Sequence, residues 1–530
     1  MIYKQGLFQD WVPKPLQLFL IAFFNIVLLC VSGISMGNSG DMVSWMGALP
    51  EHMAMANNAS SIGMLLAFPV IMRTQRYFTS KQLFVGNIFI LCFLSFVSYH
   101  SNSPQVIIFC SLLFGFFRLV ALVEVIFPVM AMLSPKGDRI RFYSVFYPAS
   151  IIFAQVSAYL FTQVAYDLQW HYAYLVMIVA MLFVALLAMI FMHGYRSDKK
   201  IPLYGIDWLG LTLLGISFMF LNYVLSFAKQ QDWFVSEKII LSTTAFLLTL
   251  IVFLWRQTIR RRHYINLSIF KKRNVYNSLI MLFFMGMFLA TNTMQSSLTA
   301  GVFNYDSPTN SLINLAMIPG AILAGFFANA WFHRKGGLKV FILLAFSCHM
   351  AYCLIMYFMV APVIQIEYLI LPMALKGMGM AMCYIGIGLY GAQTLNIKEF
   401  LSAVTIIIAF RSFIGTAFWS AVVAWGTYKL QLQHLTNFAG ETDAMNFIAE
   451  ERGDGVSLYS PMMKQATLTA VKQLYGFMII AGSGVLVYIA LHRFKPINKR
   501  RLILLRKKLY GEKHAKHQLA RLDSSSASSF

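Results

Sequence analysis

Charged side chains are scarce in this chain of 530 residues. Only 12% are Asp, Glu, Lys or Arg, whereas soluble domains average about 25%. Hydrophobic residues make up 59%, and apolar runs of about 18 or more residues, each long enough to cross a bilayer, recur from end to end. The scarcity of charge excludes a soluble globular protein and predicts a chain that crosses the membrane many times.

Metal-binding and catalytic sequence motifs are also lacking. The six cysteines lie within apolar runs and form no metal-like cluster, so they are expected to be small packing residues. The sequence has no Walker lysine motif, no Gly-x-Ser-x-Gly and no His-Glu-x-x-His. The one close histidine pair, His514 and His517, lies in the C-terminal tail. We therefore expect no catalytic residue, no metal and no cofactor, and we expect that the protein is not an enzyme.

What is abundant besides apolar residues is positive charge, with a formal net charge of +22. The Lys and Arg residues lie in short loops between apolar runs and in the tail 493–530, which is typical of cytoplasmic loops of membrane proteins and not of a nucleic-acid surface. We expect no nucleic-acid partner. The basic tail is expected to lie on anionic lipid.

Fourteen apolar runs predict fourteen transmembrane helices, with bounds good to a few residues. Basic loops alternate with nearly uncharged ones along the chain, as the positive-inside rule requires when both termini are cytoplasmic. The predicted spans are 16–36, 53–72, 83–100, 105–132, 142–165, 172–193, 207–228, 237–256, 275–296, 310–332, 339–361, 366–394, 400–427 and 471–491.

Fourteen spans suit an all-α membrane protein built of two six-helix bundles with an inserted helical hairpin. The predicted division is 1–200 for the first bundle, 201–256 for the hairpin, 257–492 for the second bundle and 493–530 for the tail. The second bundle would contain an extracytoplasmic loop at 428–470. Parallel halves of this kind place a substrate path on the axis between them.

Several short motifs resemble the fourteen-span drug/proton antiporter branch of the major facilitator superfamily, the EmrB/QacA type. An Asp-Trp-Leu-Gly-Leu start at Asp207, an Asp-Trp-Phe turn at Asp232 and a Leu-Ser-Ile-Phe-Lys-Lys-Arg-Asn entry at Leu267 occur where that family has similar motifs. Arg411 and Gly415 in span 13 are further matches. The resemblance implies the major facilitator fold and efflux of lipophilic or amphipathic small molecules against protons by alternating access.

The cytoplasmic signature of the family has two copies, and the chain departs from the first. After span 2 only its basic charge is kept. The second copy, after span 10, is expected to form a conformational gate loop and comprises Asn329, His333, Arg334 and Gly336. The resemblance also places the protein in a bacterial inner membrane. It implies that 428–470 docks a periplasmic adaptor and an outer-membrane channel.

Four charged residues fall well inside predicted spans, away from the span ends, where each costs about 2.5–3.5 kcal/mol on insertion scales, so they are functional candidates. Glu124 is the only carboxylate well inside a span, and we assign proton coupling to Glu124 and Arg118. The remaining two are cations, Lys376 and Arg411. The excess of interior positive charge favours an anionic or zwitterionic substrate group, so the predicted substrate-binding residues are Lys376, Arg411, Gln155, Asn292 and Tyr384.

Three alternatives stay open beside efflux. The span 5 signature that implies export is replaced by Ala154, Gln155, Ser157 and Ala158, which leaves a proton-coupled importer of organic anions or peptides. A receptor or scaffold with a transporter fold and a membrane enzyme are the two lesser alternatives.

Overall fold

The structure is a computed structural model. It describes residues 7–31, 39–133, 139–194, 202–260, 264–392, 395, 397–446, 455–492 and 494. Contacts along the chain divide it into two units, Met1–Leu486 and Val487–Phe530. In the second unit the described residues are the end of the last helix and its exit, where the His492 and Phe494 rings lie 4.8 Å apart. The predicted basic tail otherwise lies outside the described residues.

Helices account for nearly all of the first half. Proline or a capping side chain starts several of them, as at Pro50 and at Thr79, whose hydroxyl accepts the Gln82 amide hydrogen. The helices are α1 (Lys14–Cys30), α2 (Ser39–Met46), α3 (Pro50–Tyr77), α4 (Ser80–His100), α5 (Pro104–Leu133), α6 (Arg139–Asp167) and α7 (Trp170–Phe191).

After these seven helices, which form the first half of the fold, comes a hairpin of two helices. A second series of helices, from Arg273 to Leu491, forms the second half. A π-helical turn, Phe410–Ile414, separates two helices of this series. The helices are α8 (Trp208–Phe227), α9 (Glu237–Ile259), α10 (Arg273–Leu289), α11 (Thr291–Thr299), α12 (Ser307–Leu315), α13 (Met317–His333), α14 (Leu338–Met359), α15 (Ile366–Gly391), α16 (Ile397–Ala409), α17 (Gly415–Asn446) and α18 (Gly455–Leu491).

The predicted all-α membrane fold is confirmed. Within the described residues, thirteen helical stretches are long and apolar enough to cross a membrane, and the shorter Lys14–Cys30 is also apolar. Each of these fourteen corresponds to one predicted span. Three spans consist of two consecutive helices each: α10 with α11, α12 with α13, and α16 with α17, the last pair joined by the π-helical turn.

The segment 428–470 differs from the predicted loop, because most of it is helical. Helix α17 continues to Asn446 and α18 begins at Gly455. The two continuations are joined by side chains, since the Gln431 side-chain amide donates to the Thr467 hydroxyl at 2.7 Å and the His434 Nε2 lies 3.0 Å from the Gln473 Oε1. Residues 447–454 lie outside the described ranges.

A close crossing of two helices at a pair of glycines occurs in each half. A Cβ added to Gly63 on α3 would lie 2.0 Å from the Leu112 carbonyl oxygen, and one on Gly115 of α5 would lie 1.9 Å from that of Ser60. The second half repeats the arrangement with Gly320 on α13 and Gly377 on α15, whose added Cβ atoms would lie 1.7 Å from the Ala374 oxygen and 2.2 Å from the Met317 oxygen. Only glycine allows backbones to approach this closely.

The hairpin formed by α8 and α9 contacts both halves. The buried Asn222 amide of α8 donates to the Met55 carbonyl of α3 at 2.8 Å. At the turn after α8, Asp232 accepts from the Trp425 indole at 3.0 Å and from Lys429 at 2.9 Å, both on α17. The hairpin is therefore attached to the first half through α8 and to the second half through its turn.

The other end of the hairpin is closed by Asp207. This carboxylate caps α8 by accepting from the Gly210 amide at 3.1 Å, and it pairs with Arg256 of α9 at 2.7 Å. Burial acts to raise the pKa of Asp207, but the hydrogen bonds from Arg256 and Gly210 outweigh it and hold the pKa below its ordinary value. The two helices are thus held together at both ends.

Candidate functional site

The predicted proton-coupling arginine of the first half contacts a helix end. Arg118 on α5 is 8% exposed, and its Nε donates to the Leu28 carbonyl at 2.9 Å while its Nη2 lies 3.4 Å from that of Leu29. These carbonyls belong to the last turn of α1, which ends at Cys30. Arg118 therefore caps α1, and its role in proton coupling stays a prediction.

Glu124 lies on the same helix and is 1% exposed. It follows Arg118 by six residues, which places the two side chains on different faces of α5. Arg118 accordingly directs its hydrogen bonds to α1 and not to Glu124. The carboxylate is thus as deeply buried as its predicted role requires, and that role stays a prediction.

In the second half, two predicted substrate-binding residues are brought together. Lys376 on α15 is fully buried, and its Nζ donates to the Asn292 side-chain oxygen on α11 at 2.6 Å. Tyr352 on α14 adds a second acceptor, with its hydroxyl 3.4 Å and its ring centroid 4.7 Å from the Nζ. The Tyr475 hydroxyl of α18 lies 3.3 Å from that of Tyr352 and extends the cluster.

His349 belongs to this cluster but was not assigned to it from the sequence. It lies on α14 three residues before Tyr352, it is fully buried, and its ring stacks on Phe288 at 5.4 Å. The Gly379 backbone of α15 passes directly under the ring, since a Cβ there would lie 3.0 Å from the His349 Cδ2. Neither ring nitrogen has a hydrogen-bond partner within the described residues. The i, i+3 spacing of His349 and Tyr352 was the signal available in the sequence.

Arg411 and Tyr384, also predicted to bind substrate, form a second cluster. The Arg411 guanidinium carbon lies 4.8 Å from the centroid of the Tyr384 ring on α15 and 5.5 Å from that of Tyr147 on α6. Arg411 lies in the π-helical turn, and such turns occur frequently at functional sites. Because Tyr147 belongs to the first half and the other two residues to the second, this cluster joins the halves.

Tyr147 was missed from the sequence because aromatic residues in an apolar run are usually packing residues. The Tyr143-x-x-x-Tyr147 spacing, which places both rings on one face of α6, was the available signal. Towards the same end of the halves, Gly388 of α15 lies beside Tyr147, and Arg139 of α6 donates to the Ala392 carbonyl at 3.2 Å. The halves are therefore in contact at the end where α6 starts and α15 finishes.

The other predicted residues lie apart from both clusters. Gln155 is half-buried on α6 and makes no hydrogen bond within the described part of the chain. The gate-loop residues Asn329, His333 and Arg334 are exposed at the end of α13. A Cβ at Gly336 would lie 2.4 Å from the Trp331 indole nitrogen, so a larger residue there would displace that side chain. Among the described residues, no group of three or more His, Cys, Asp or Glu could hold a metal ion.

Solved transporter structures have the same fold. A proton-dependent oligopeptide transporter superposes with a TM-score of 0.57 at 12% identity, covering 90% of this chain and 98% of its own. A peptide transporter bound to sulfate gives 0.53 at 13% identity, covering 91% and 97%. The nucleoside transporter NupG gives 0.51 at 11% identity, covering 90% and 100%. At these identities the similarity concerns the fold alone.

The family follows from the sequence match. Comparison with curated proteins finds no match for this chain. The family model described as Major Facilitator Superfamily matches residues 16–420, which comprise both glycine crossings, Lys376 and Arg411. The chain belongs to the major facilitator superfamily, and it is a multi-pass membrane transporter.

Proposed function

We propose that the protein couples the export of lipophilic or amphipathic small molecules to proton movement in the opposite direction. One observation carries this proposal: each half buries an ionisable side chain inside a membrane span, Glu124 in the first and Lys376 in the second. A membrane helix retains such groups at a cost, and they are typical of proton and ion pathways. The two halves would expose the path alternately to either side of the membrane.

Assignment to the fourteen-span drug/proton antiporter branch is part of this proposal. The hairpin of α8 and α9 supports it, because it lies between the two halves in sequence and is fixed at Asp207 and Asp232, which belong to two of the quoted motifs. The branch implies a bacterial inner membrane and cytoplasmic termini. Cysteine labelling of intact cells should then reach residues introduced in 428–470 and leave residues introduced in 256–274 unlabelled.

A proton-coupled importer of organic anions or peptides is the second candidate. Three cations lie inside the spans, Arg118, Lys376 and Arg411, against the one carboxylate of Glu124. Of the three, Arg411 supports this candidate best, since it is only half-buried and is flanked by the aromatic rings of Tyr147 and Tyr384. Guanidinium groups bind carboxylates in a bidentate geometry that suits such substrates.

Proteoliposomes test the two candidates with one experiment. The purified protein is reconstituted with an internal pH dye, and a pH gradient of either polarity is imposed. The external probe is ethidium, a lipophilic cation, or carboxyfluorescein, an amphipathic anion. Antiport predicts that ethidium moves against the proton flux, whereas carboxyfluorescein moving with protons would favour the importer. A lack of response by either dye to either gradient would contradict both candidates.

The helical continuations of α17 and α18 are proposed to dock a periplasmic adaptor, which would lead to an outer-membrane channel. They extend the two helices beyond the predicted spans and are tied to each other by Gln431 and Thr467. They also carry exposed apolar side chains, including Leu432 and Tyr459. Replacing 436–462 with a Gly/Ser linker should preserve transport in proteoliposomes and abolish the resistance of intact cells to the exported compounds. Equal loss in both assays would mean that this segment serves the transport cycle itself.

A further inference from the structure

Lys376 is the most deeply buried of the three cations that lie well inside the spans, at 0% exposed against 8% for Arg118. Its Nζ contacts only neutral groups, the Asn292 amide oxygen, the Tyr352 hydroxyl and the Tyr352 ring. Within the described residues no carboxylate oxygen lies within 4.0 Å of it. An ammonium group taken out of water without a counter-charge is unfavourable, so this amine must either lose its proton or gain a partner during the transport cycle.

The surroundings of Lys376 favour a proton over an organic ligand. Lys376 is 0% exposed, so no organic group reaches its amine in this conformation. Asn292 is exposed while its oxygen holds the Nζ at 2.6 Å, so one side chain separates the amine from accessible space. We expect that rotation of this one amide would open a route for water and a proton to the amine.

The residue type agrees with this role. A proton carrier must exist in both protonation states, and a lysine amine does so readily, whereas an arginine stays charged under all ordinary conditions. Arg118 and Arg411 therefore suit permanent charges, as their contacts with the end of α1 and with two tyrosine rings indicate. Lys376, in contrast, can alternate between a charged and a neutral amine.

We propose that Lys376 is the proton carrier of the second half, binding a proton in one conformation and releasing it to water in the other. This inference rests on the proposed proton coupling and adds to it a site distinct from Glu124. Release converts the ammonium to a neutral amine and one proton, so no further reactant is needed. Of the groups that face Lys376, the titratable ones are His349, Tyr352 and Cys353 of α14, with Tyr475 of α18 behind Tyr352. Helix α11 presents Asn292, and the backbone of α13 at Met317 lies against the neighbouring Gly377.

The position of Lys376 in the fold connects its charge to helix movement. It immediately precedes Gly377, one of the two glycines at the crossing of α13 and α15. Its partner Asn292 lies two residues after Ala290, where α10 gives way to α11. The charged amine binds Asn292 more strongly than the neutral amine does, because a charge-assisted hydrogen bond is about twice as strong as a neutral one. Proton release therefore loosens α11 from α15 and favours a change in the way the halves meet.

Distance measurements test the proposal with the proton itself as the ligand. Spin labels are attached at Gly194→Cys and Gly337→Cys, two glycines at helix ends of different halves where a side chain meets open space. The protein lacks its six native cysteines and is reconstituted in nanodiscs at pH 5 to 9. The distance distribution should shift between these limits. In Lys376→Met it should stay at the high-pH distribution, and in Lys376→Arg at the low-pH one.

Lys464→Met serves as the matched control, because Lys464 is an exposed lysine of α18, and it should shift as the unaltered protein does. A shift that persists in both Lys376 variants would assign the proton to another group and overturn the proposal. If Lys376→Met fails to fold, Lys376→Arg decides alone. The proposed efflux and this proton site can fail separately. If a pH gradient drives no dye transport but the distance shift still depends on Lys376, the proposed efflux is rejected and the proton site is retained.

Discussion

The two halves share a backbone arrangement and differ in the chemistry built on it. In both, two helices cross at a pair of glycines. A Cβ atom added to either glycine would clash with the carbonyl oxygen of the residue three positions before the opposite glycine. Counted from Gly115 and from Gly377, Arg118 corresponds to Met380, Glu124 to Gly386 and Lys376 to Phe114. The crossing is thus repeated, and the ionisable residues are not.

This difference separates two kinds of constraint. The crossing is a steric requirement, because helices at this distance leave no room for a Cβ atom, and both halves must meet it. The charged side chains have no packing reason to occur in both halves. Each half therefore carries its own ionisable group, a carboxylate in the first half and an amine in the second. We expect variants at the crossings to behave alike in the two halves and variants at the charges to behave differently.

The largest effect is expected from the crossing glycines. Gly115→Ala and Gly377→Ala each place a Cβ about 2 Å from a carbonyl oxygen, so the helices must separate, and overpacking of this kind costs roughly 1–3 kcal/mol. Both variants should lower the thermal unfolding midpoint in detergent by similar amounts. Gly86→Ala and Gly484→Ala, where open space surrounds the glycine, are the controls and should not lower it. A lower midpoint for only one of the two variants would mean that the two crossings do not contribute equally to stability.

The second effect concerns coupling and should appear without loss of fold. Glu124→Gln removes the charge and keeps the volume, so proton-driven dye movement in proteoliposomes should be abolished while the unfolding midpoint changes little. The corresponding Gly386 has no ionisable side chain, so this substitution has no equivalent at that position of the second half. Full, pH-dependent activity in Glu124→Gln would move the proton site elsewhere.

The third effect concerns the selectivity between anionic and cationic substrates, and it tests the permanent charge of Arg411. Arg411→Gln should weaken transport of carboxyfluorescein by about tenfold, which corresponds to about 1.4 kcal/mol, and affect ethidium less. The reason is that the guanidinium attracts anions and repels cations. Arg260→Gln, an exposed arginine at the end of α9, is the control. Equal loss for both dyes would indicate that Arg411 only holds the two halves together through Tyr147 and Tyr384.

The sequence predicts the spans well because bilayer thickness imposes their length and composition. It predicts the helical continuations of α17 and α18 poorly, because polar residues such as Gln431 and His434 end an apolar run without ending a helix. The contact of Lys376 with Asn292 joins spans 12 and 9, and the capping of α1 by Arg118 joins spans 4 and 1. Such contacts depend on how helices assemble, so hydropathy and charge identified the residues but not their partners.

The smallest effect is expected at the inserted hairpin, which has no counterpart in either half. Trp425 and Lys429 donate hydrogen bonds to Asp232 and hold its pKa below the ordinary value. The stabilisation is therefore present above a pH of about 4 and is lost as the pH falls through the lowered pKa. Because the carboxylate is exposed, Asp232→Asn should lower the unfolding midpoint by only about 1 °C at pH 7 and low salt.

Salt and acid should each reduce that small difference, salt by screening the pair with Lys429 and acid by protonating Asp232. Asp167→Asn, an exposed aspartate at the end of α6, is the matched control and should leave the midpoint unchanged. Asp232 and Trp233 both have positive φ, at 48° and 56°, so the turn adopts a backbone conformation that few side chains favour. If Asp232→Asn instead lowered the midpoint as much as Gly377→Ala does, the contacts of Asp232 with α17 would be as important for the stability of the second half as its glycine crossing.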